Sequence, residues 1–346
     1  MSYTDHRVDL YNSGVNQLLG LAAVRGYRLC HFRMADLYRH DDRPMVRATI
    51  LAVDPEWSGD EPLDAWQHVR PVGTENLDVA DIGLYFVRGD DIRRTDTPNI
   101  DVLRAAETEA VVIESVAATL ATCDKYEMVV RCPEVPQPLT FAATELEPAL
   151  EAVDRLPLED GWFVLKDRFG YGCGAQVHRL HRDTPHLDHL IGDYLQAYGD
   201  ILLQEYRAEV ADGDLVVTFV DDELIGTMRR LPAEGEWKTN ASLGAEQVRH
   251  ELTPEQEDAA RAARRAFAEC RVASVDLVLS GRVLEINAFP GGEGLLETHG
   301  VVLAERVLDR LEVELGVRDD DRDVRAEVRA GDTDHDEDDD EQEAER

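Results

Sequence analysis

Residues 274–287 read SVDLVLSGRVLEIN. Two apolar runs flank Ser280-Gly281, a pair that can close a two-residue hairpin, although Asn-Gly would be the stronger signal. With Leu279 facing Arg282, Asp276 falls directly opposite Glu285 on the neighbouring strand. Strand alternation puts Asn287 on the face of Glu285 and turns Leu284 and Ile286 the other way. Two carboxylates at about 5 Å across a strand pair repel each other unless a cation lies between them. Two carboxylates and an amide are hard oxygen donors of the kind that hold Mg²⁺ bridged to phosphates. A solvated acidic face is the alternative reading of the same segment.

Upstream, GYGCG at 170–174 follows a strand-like stretch that ends near Lys166. Glycines let backbone N–H groups close over phosphate oxygens, and the lysine adds a point charge. The loop is not a Walker A sequence, no GxGxxG follows a strand, and a simple tight turn is the alternative. Residues 161–165 and 175–180 flank this loop as a hairpin, and 201–206, 215–220 and 223–229 read as further strands. Thr253-Pro254-Glu255-Gln256 supplies an N-cap, a first-turn proline and a capping-box glutamine for a helix running to about Cys270. Residues 301–315 form a final amphipathic helix.

The N-terminal stretch reads as a helix at 16–25 and strands at 27–34, 48–53 and 78–87. A loop at 88–98, a helix at 99–107 and a strand at 111–113 follow, and this alternation implies an open α/β sheet. From Asp319 onward charge dominates and a solvated tail is expected.

The chain has 346 residues, 43% of them hydrophobic, enough for two or three domains with substantial cores. Its formal net charge is −36. Residues 332–346 hold ten acids against one base, so most of the negative charge lies in the body of the chain. Such acidity repels nucleic acid and anionic membranes, which excludes both as default partners. It is also what keeps a chain soluble in molar salt, where repulsion is screened within about 3 Å. No run approaches the roughly 18 apolar residues of a membrane helix, and MSYTDHRVDLY does not read as a signal peptide. The five cysteines, Cys30, Cys123, Cys132, Cys173 and Cys270, include no CxxC pair and read as reduced core thiols of a cytoplasmic protein. His178, His181, His186 and His189 lack a zinc frame and read as surface residues. Of 36 basic residues only three are lysines: Lys125, Lys166 and Lys238.

The order of strand, lysine, glycine loop, Gln204-Glu205-Tyr206, then Asp276, Glu285 and Asn287 resembles the ATP-grasp enzymes over roughly residues 14–315. The form it resembles most is the bacterial-type glutathione synthetase. RGYRLCHFRMADLY (25–38), DIGLYFVRGD (81–90), ATCDKYEMV (121–129), LLQEYRAEVADGD (202–214) and the stretch 230–240 carry the likeness. AFPGGEG (288–294) instead resembles the RimK-like glutamate ligases. The resemblance implies a three-domain α/β (α+β) fold, with an N-terminal open α/β domain at 1–122 and a central lid domain at 123–205. A C-terminal domain with the metal site at 206–317 and an acidic disordered tail at 318–346 complete it.

It further implies ATP and one or two Mg²⁺ ions, with Mn²⁺ as an alternative. Lys125 and Lys166, with Gly170, Gly172 and Gly174, would contact ATP phosphates. Gln204, Glu205 and Tyr206 would form the adenine hinge, and Asp212 or Asp214 would reach the ribose. Asp276, Glu285 and Asn287 would hold metal. Arg230, Lys238 and Asn240 would face the substrate and the acyl phosphate. All three lysines thus fall on motif positions.

The implied activity joins a small-molecule carboxylate to an amine through an acyl phosphate. The main expectation is a γ-glutamylcysteine-like acid with glycine or another small amine. The alternative is a RimK-like ligase adding glutamate or another amino acid to a cofactor or peptide. No nucleic acid or membrane partner is expected, and homo-oligomerisation is left open. Two positions depart from the family pattern. Asp167 stands where proline is usual, and Val216 stands where an arginine is usual, with Arg168, Arg207 and Arg229 as candidates to compensate. Val216 also keeps open a nucleotide-binding protein without catalysis.

Overall fold

The structure is a computed structural model that describes residues 13–54, 56–57, 67–86, 99–169, 174, 176–288 and 290–316. In chain order its helices are α1 (Ser13–Val24), α2 (Ile100–Glu109), α3 (Val116–Cys123), α4 (Glu127–Arg131), α5 (Leu146–Arg155), α6 (Leu187–Tyr198), α7 (Pro254–Ala266), α8 (Glu293–His299) and α9 (Leu303–Leu315). The first strands are β1 (Leu29–His31), β2 (Leu37–His40), β3 (Arg43–Val53), β4 (Val69–Asp78), β5 (Leu84–Phe86) and β6 (Val111–Ile113). Then come β7 (Thr140–Ala143), β8 (Trp162–Asp167), β9 (Val177–His181), β10 (Ile201–Glu205), β11 (Asp214–Val220), β12 (Glu223–Leu231), β13 (Glu246–Arg249), β14 (Val272–Val278) and β15 (Val283–Ala288). No helix among the described residues is long and apolar enough to cross a membrane.

The described residues fall into two compact units, one drawn from 1–31, 48–75 and 302–346, the other from 32–47 and 76–301. In the smaller unit α1 packs on α9, and Arg25 bridges Glu312 at 2.9 Å and Asp309 at 2.8 Å. There β1 pairs antiparallel with the end of β3, Leu29 opposite Leu51.

The stretch 78–87 is not the single strand expected. Asp78, the last residue of β4, accepts the Ala80 N–H, which caps a 3₁₀ turn over Val79–Asp81, and Leu84–Phe86 then forms a separate strand parallel to β6. β5 and β6 pair in parallel, whereas the ladders of the two sheets of the larger unit and the β1–β3 and β2–β3 pairs are antiparallel. The loop expected at 88–98 lies outside the described residues. Cys123, Cys132 and Cys270 are buried as expected and Cys30 is half-buried, while Cys173 lies outside the described residues.

The larger unit holds two sheets. The first has strand order β7-β10-β8-β9 and the second β13-β12-β11-β14-β15. In the first, Phe163, Leu165, Ile201 and Leu203 join Ala149, Val153 and Ile191 of α5 and α6 in one apolar cluster. Alternation therefore turns Lys166 and Gln204 to the opposite face. In the second sheet Leu215, Val217, Phe219, Val275 and Leu277 pack on Ala259, Ala260, Ala263 and Phe267 from α7 and its end. The intervening Asp214, Val216 and Asp276 share the other face with Arg230.

The capping box forms as expected, with Thr253 and Gln256 satisfying each other's backbone N–H groups. The helix stops at Ala266 rather than near Cys270, because Phe267 N donates to Arg264 O and its ring turns into the core. The final helix begins at Leu303, and the sequence reading left α8 unassigned.

Candidate functional site

The β14–β15 hairpin sets the geometry of the site. Asp276 does lie opposite Glu285, and Ser274 opposite Asn287, but the route differs from the two-residue turn expected. Gly281 N donates to Val278 O at 2.8 Å and Val278 N to Arg282 O at 3.0 Å. These bonds close a three-residue loop over Leu279, Ser280 and Gly281. Gly281 takes φ +83°, which a type I turn followed by a glycine in the left-handed region requires. That extra loop residue shifts the pairing to Leu277 opposite Val283, and a bulge at Leu284 then shifts it back. Two deviations cancel, so the carboxylates face each other after all. The bulge also turns Val283 into the core beside Ile286 while Leu284 is only half-buried, which corrects the alternation read from sequence.

Both carboxylates are met by cations. Lys125 Nζ donates to Glu285 Oε2 at 2.8 Å. Arg230 bridges the second sheet, bonding Asp214 through Nε at 2.9 Å and Asp276 Oδ2 at 2.7 Å. Burial would raise the Glu285 carboxyl, but Lys125 and Lys166 hold it well below the usual range. Burial lifts Asp276 above the usual range, with Glu285 opposing its charge and Arg230 only partly compensating. Asp276 is 4% exposed, and its Oδ1 is buried with no hydrogen-bond partner among the described residues. An unmatched buried carboxylate oxygen is costly unless a ligand completes it. Glu285 and Asn287 stand beside it, Asn287 Nδ2 donating to Glu285 Oε1 at 3.4 Å. This donor set of carboxylate oxygens and an amide fits Mg²⁺, which takes one or two carboxylates and leaves other positions to phosphate and water.

On the first sheet Lys166 is 6% exposed and donates to Gln204 Oε1 at 3.2 Å, while Gln204 Nε2 donates to Thr140 Oγ1 at 2.8 Å. Its partner is an amide, and burial lowers its pKa to about 8 despite the field of Glu285. Lys125 is held beside β8 by Arg168, whose guanidinium grips Asp124 at 2.7 and 2.6 Å; Lys125 N donates to Arg168 O at 3.0 Å. At the end of β10, Glu205 accepts from Leu139 N at 3.0 Å and from Arg207 at 2.9 Å, and the following Tyr206 is buried. Asp214 lies inside the Arg230 network, whereas Asp212 is exposed and its carbonyl accepts from Arg229.

A third group gathers at the loop after β12. Lys238 Nζ donates to Gly174 O at 3.1 Å. Gly174 has φ +64°, and a Cβ there would sit 2.6 Å from Asn240 Oδ1. Gly170 and Gly172 lie outside the described residues. The three arginines considered as substitutes beside Val216 are engaged elsewhere: Arg168 with Asp124, Arg207 with Glu205 and Glu209, Arg229 with the Asp212 carbonyl. Sequence reading missed Arg168 as the clamp on Asp124. It also missed Arg179 and Trp237, although a tryptophan beside one of only three lysines was a signal within reach.

Comparison with known proteins identifies the family. A model of the RimK-like ATP-grasp domain matches residues 128–311. The probable alpha-L-glutamate ligase of Picosynechococcus sp. is 39% identical over 116 residues, 33% of this chain and 38% of that protein. The probable alpha-L-glutamate ligase 2 of Shewanella amazonensis is 33% identical over 132 residues, 37% of this chain and 44% of that protein. The chain thus spans less than half the length of these curated relatives. The crystal structure of D-cycloserine synthetase DcsG superposes with TM-score 0.52 at 18% identity, over 67% of this chain and 86% of that one, a likeness of fold. These matches favour the RimK-like alternative over the glutathione-synthetase reading.

Proposed function

Because the chain belongs to the RimK-like ATP-grasp family, we propose that it is an ATP-dependent carboxylate–amine ligase that attaches glutamate or another amino acid to a carboxylate-bearing peptide or small molecule. One observation carries this reading: Asp276 and Glu285 face each other beside Lys125 and Arg230, and Asp276 keeps one buried oxygen without a partner among the described residues.

In this reading Asp276, Glu285 and Asn287 hold Mg²⁺, which when bound neutralises phosphate charge as a Lewis acid. Lys125 and Lys166 orient the triphosphate, and the Gln204–Tyr206 segment receives the adenine. Asp212 or Asp214 serves the ribose, and the exposure of Asp212 suits it better. A substrate carboxylate oxygen attacks the γ-phosphorus, the bond to the bridging oxygen breaks, and ADP departs. The amine then attacks the acyl carbonyl, and phosphate leaves as the amine loses its proton. Arg230, Lys238 and Asn240 face the oxyanion that forms in the second step. Lys238 reaches the backbone at Gly174, and excluding water from the site preserves the acyl phosphate.

The test is phosphate release from ATP with Mg²⁺ in molar KCl, given the net charge of −36. Glutamate and other amino acids are supplied with and without peptide and small-molecule carboxylates. Release that requires both an amino acid and a separate carboxylate is the expected result. Release that requires γ-glutamylcysteine together with glycine would restore the glutathione-synthetase reading. ATP binding without release across the panel would leave a non-catalytic nucleotide-binding protein.

A further inference from the structure

Arg179 has an unusual setting for an arginine in a chain with 72 acidic residues. Among the described residues no carboxylate lies in ion-pair range of it. Three aromatic rings surround it instead: its guanidinium carbon lies 4.9 Å from the Trp162 ring centre, 5.2 Å from Tyr206 and 5.5 Å from Trp237. Nη1 donates to the Tyr206 hydroxyl at 2.9 Å. The residue projects from β9 on the face that carries Lys166 and Gln204, since Val164 pairs with Arg179 and Lys166 with Val177.

Each ring belongs to a different part of the site. Trp162 starts β8, Tyr206 ends the Gln204–Tyr206 segment, and Trp237 immediately precedes Lys238. Trp237 also meets Tyr206 edge-on, ring centres 6.0 Å apart. Beyond Trp237 the loop is fastened locally, because Glu236 Oε1 accepts both Trp237 N at 2.8 Å and Lys238 N at 3.1 Å. The Lys238 ammonium then reaches Gly174 O. A planar guanidinium can stack on several rings at once, which an ammonium cannot do as well.

We propose that Arg179 is a positioning residue: stacked among Trp162, Tyr206 and Trp237, it fixes the 236–240 loop so that Lys238 is held against the glycine loop at Gly174. The inference rests on Lys238 acting as the proposed function has it, but its test does not require turnover. With only three lysines in the chain, amine acetylation followed by peptide mass spectrometry reads Lys238 directly, with Lys125 and Lys166 as internal references in the same molecule. Arg179→Gln and Trp237→Leu each raise the Lys238 acetylation rate about tenfold, the scale of a partly desolvated cation–π contact, while Lys125 and Lys166 keep their rates. Trp237→Phe retains a ring and the slow rate. A Lys238 rate unchanged in Arg179→Gln, with both references unchanged, overturns the proposal. Should Arg179→Gln accelerate all three lysines through loss of fold, Trp237→Leu decides in its place, by the same criterion. A chain that catalyses nothing yet shows the selective Lys238 response keeps this inference and loses the ligase reading; an active ligase without the response does the reverse.

Discussion

The two sheets of the larger unit differ in what their site faces leave incomplete. The β7-β10-β8-β9 sheet offers Lys166, a buried cation bonded to an amide, with its proton held loosely. The second sheet offers buried Asp214 and Asp276 and half-buried Glu285, anions matched by Arg230 and Lys125, with one oxygen of Asp276 left over among the described residues. One face is short of an anion and the other has a vacant oxygen for a cation. A metal-bound polyphosphate supplies both, which is the physical reason a nucleotide would join the two sheets.

The largest expected effect tests the anionic side. Asp276→Asn removes the carboxylate that carries the unmatched oxygen, and phosphate release falls at least about a thousandfold, the scale of several kcal/mol of lost metal assistance. Arg230 keeps Asp214, so thermal unfolding should show a folded protein. Near-normal turnover in a folded variant would remove this sheet from the chemistry.

The cationic side predicts a smaller change with its own pH signature. Lys166→Met weakens ATP binding roughly 10- to 100-fold, the range for hydrogen bonds to charged groups. Because burial brings Lys166 to about 8, it is protonated below that pH and binds phosphate fully there. Above it a proton must be taken up on binding, so wild-type affinity declines by up to about tenfold per pH unit. Lys166→Met lacks that decline. Calorimetric titration with Mg²⁺ and ATP from pH 6.5 to 9.5 checks both; equal slopes in the two proteins would break the contrast between the sheets.

The smallest effect sharpens the account of the hairpin that pairs the carboxylates. A Cβ on Gly281 meets nothing closer than 3.7 Å, so space is not the difficulty. Its φ of +83° is, and Gly281→Ala costs about 1 kcal/mol of stability, read as a lower midpoint in denaturant. A variant as stable as wild type would show that the three-residue loop is not what sets the register.

Much of this site was legible in the chain because its motifs are local and periodic. Alternation places Glu285 and Asn287 on one strand face, and Thr253 with Gln256 announces a helix start that the backbone then uses. The pairing of Asp276 with Glu285 was read correctly through a turn that is not the one formed, since a bulge at Leu284 offsets the extra loop residue. The single strand expected over 78–87 came out differently for a related reason, with a 3₁₀ turn at Val79–Asp81 before the strand Leu84–Phe86. Apolar runs reveal strands but not their partners, and Asp78 can close a strand and cap a turn as readily as lie within one.

Sequence by itself determined which residues are chemically available: three lysines, the glycine loop, two carboxylates spaced across a hairpin, and the order that marks an ATP-grasp chain. Tertiary structure alone decided their partners. Only folding could pair Arg230 with both Asp214 and Asp276, bring Lys125 to Glu285 across 160 positions, leave Asp276 Oδ1 unmatched, and surround Arg179 with rings from three segments. Periodicity fixes which way a side chain points, but what it meets depends on packing between segments far apart in the chain.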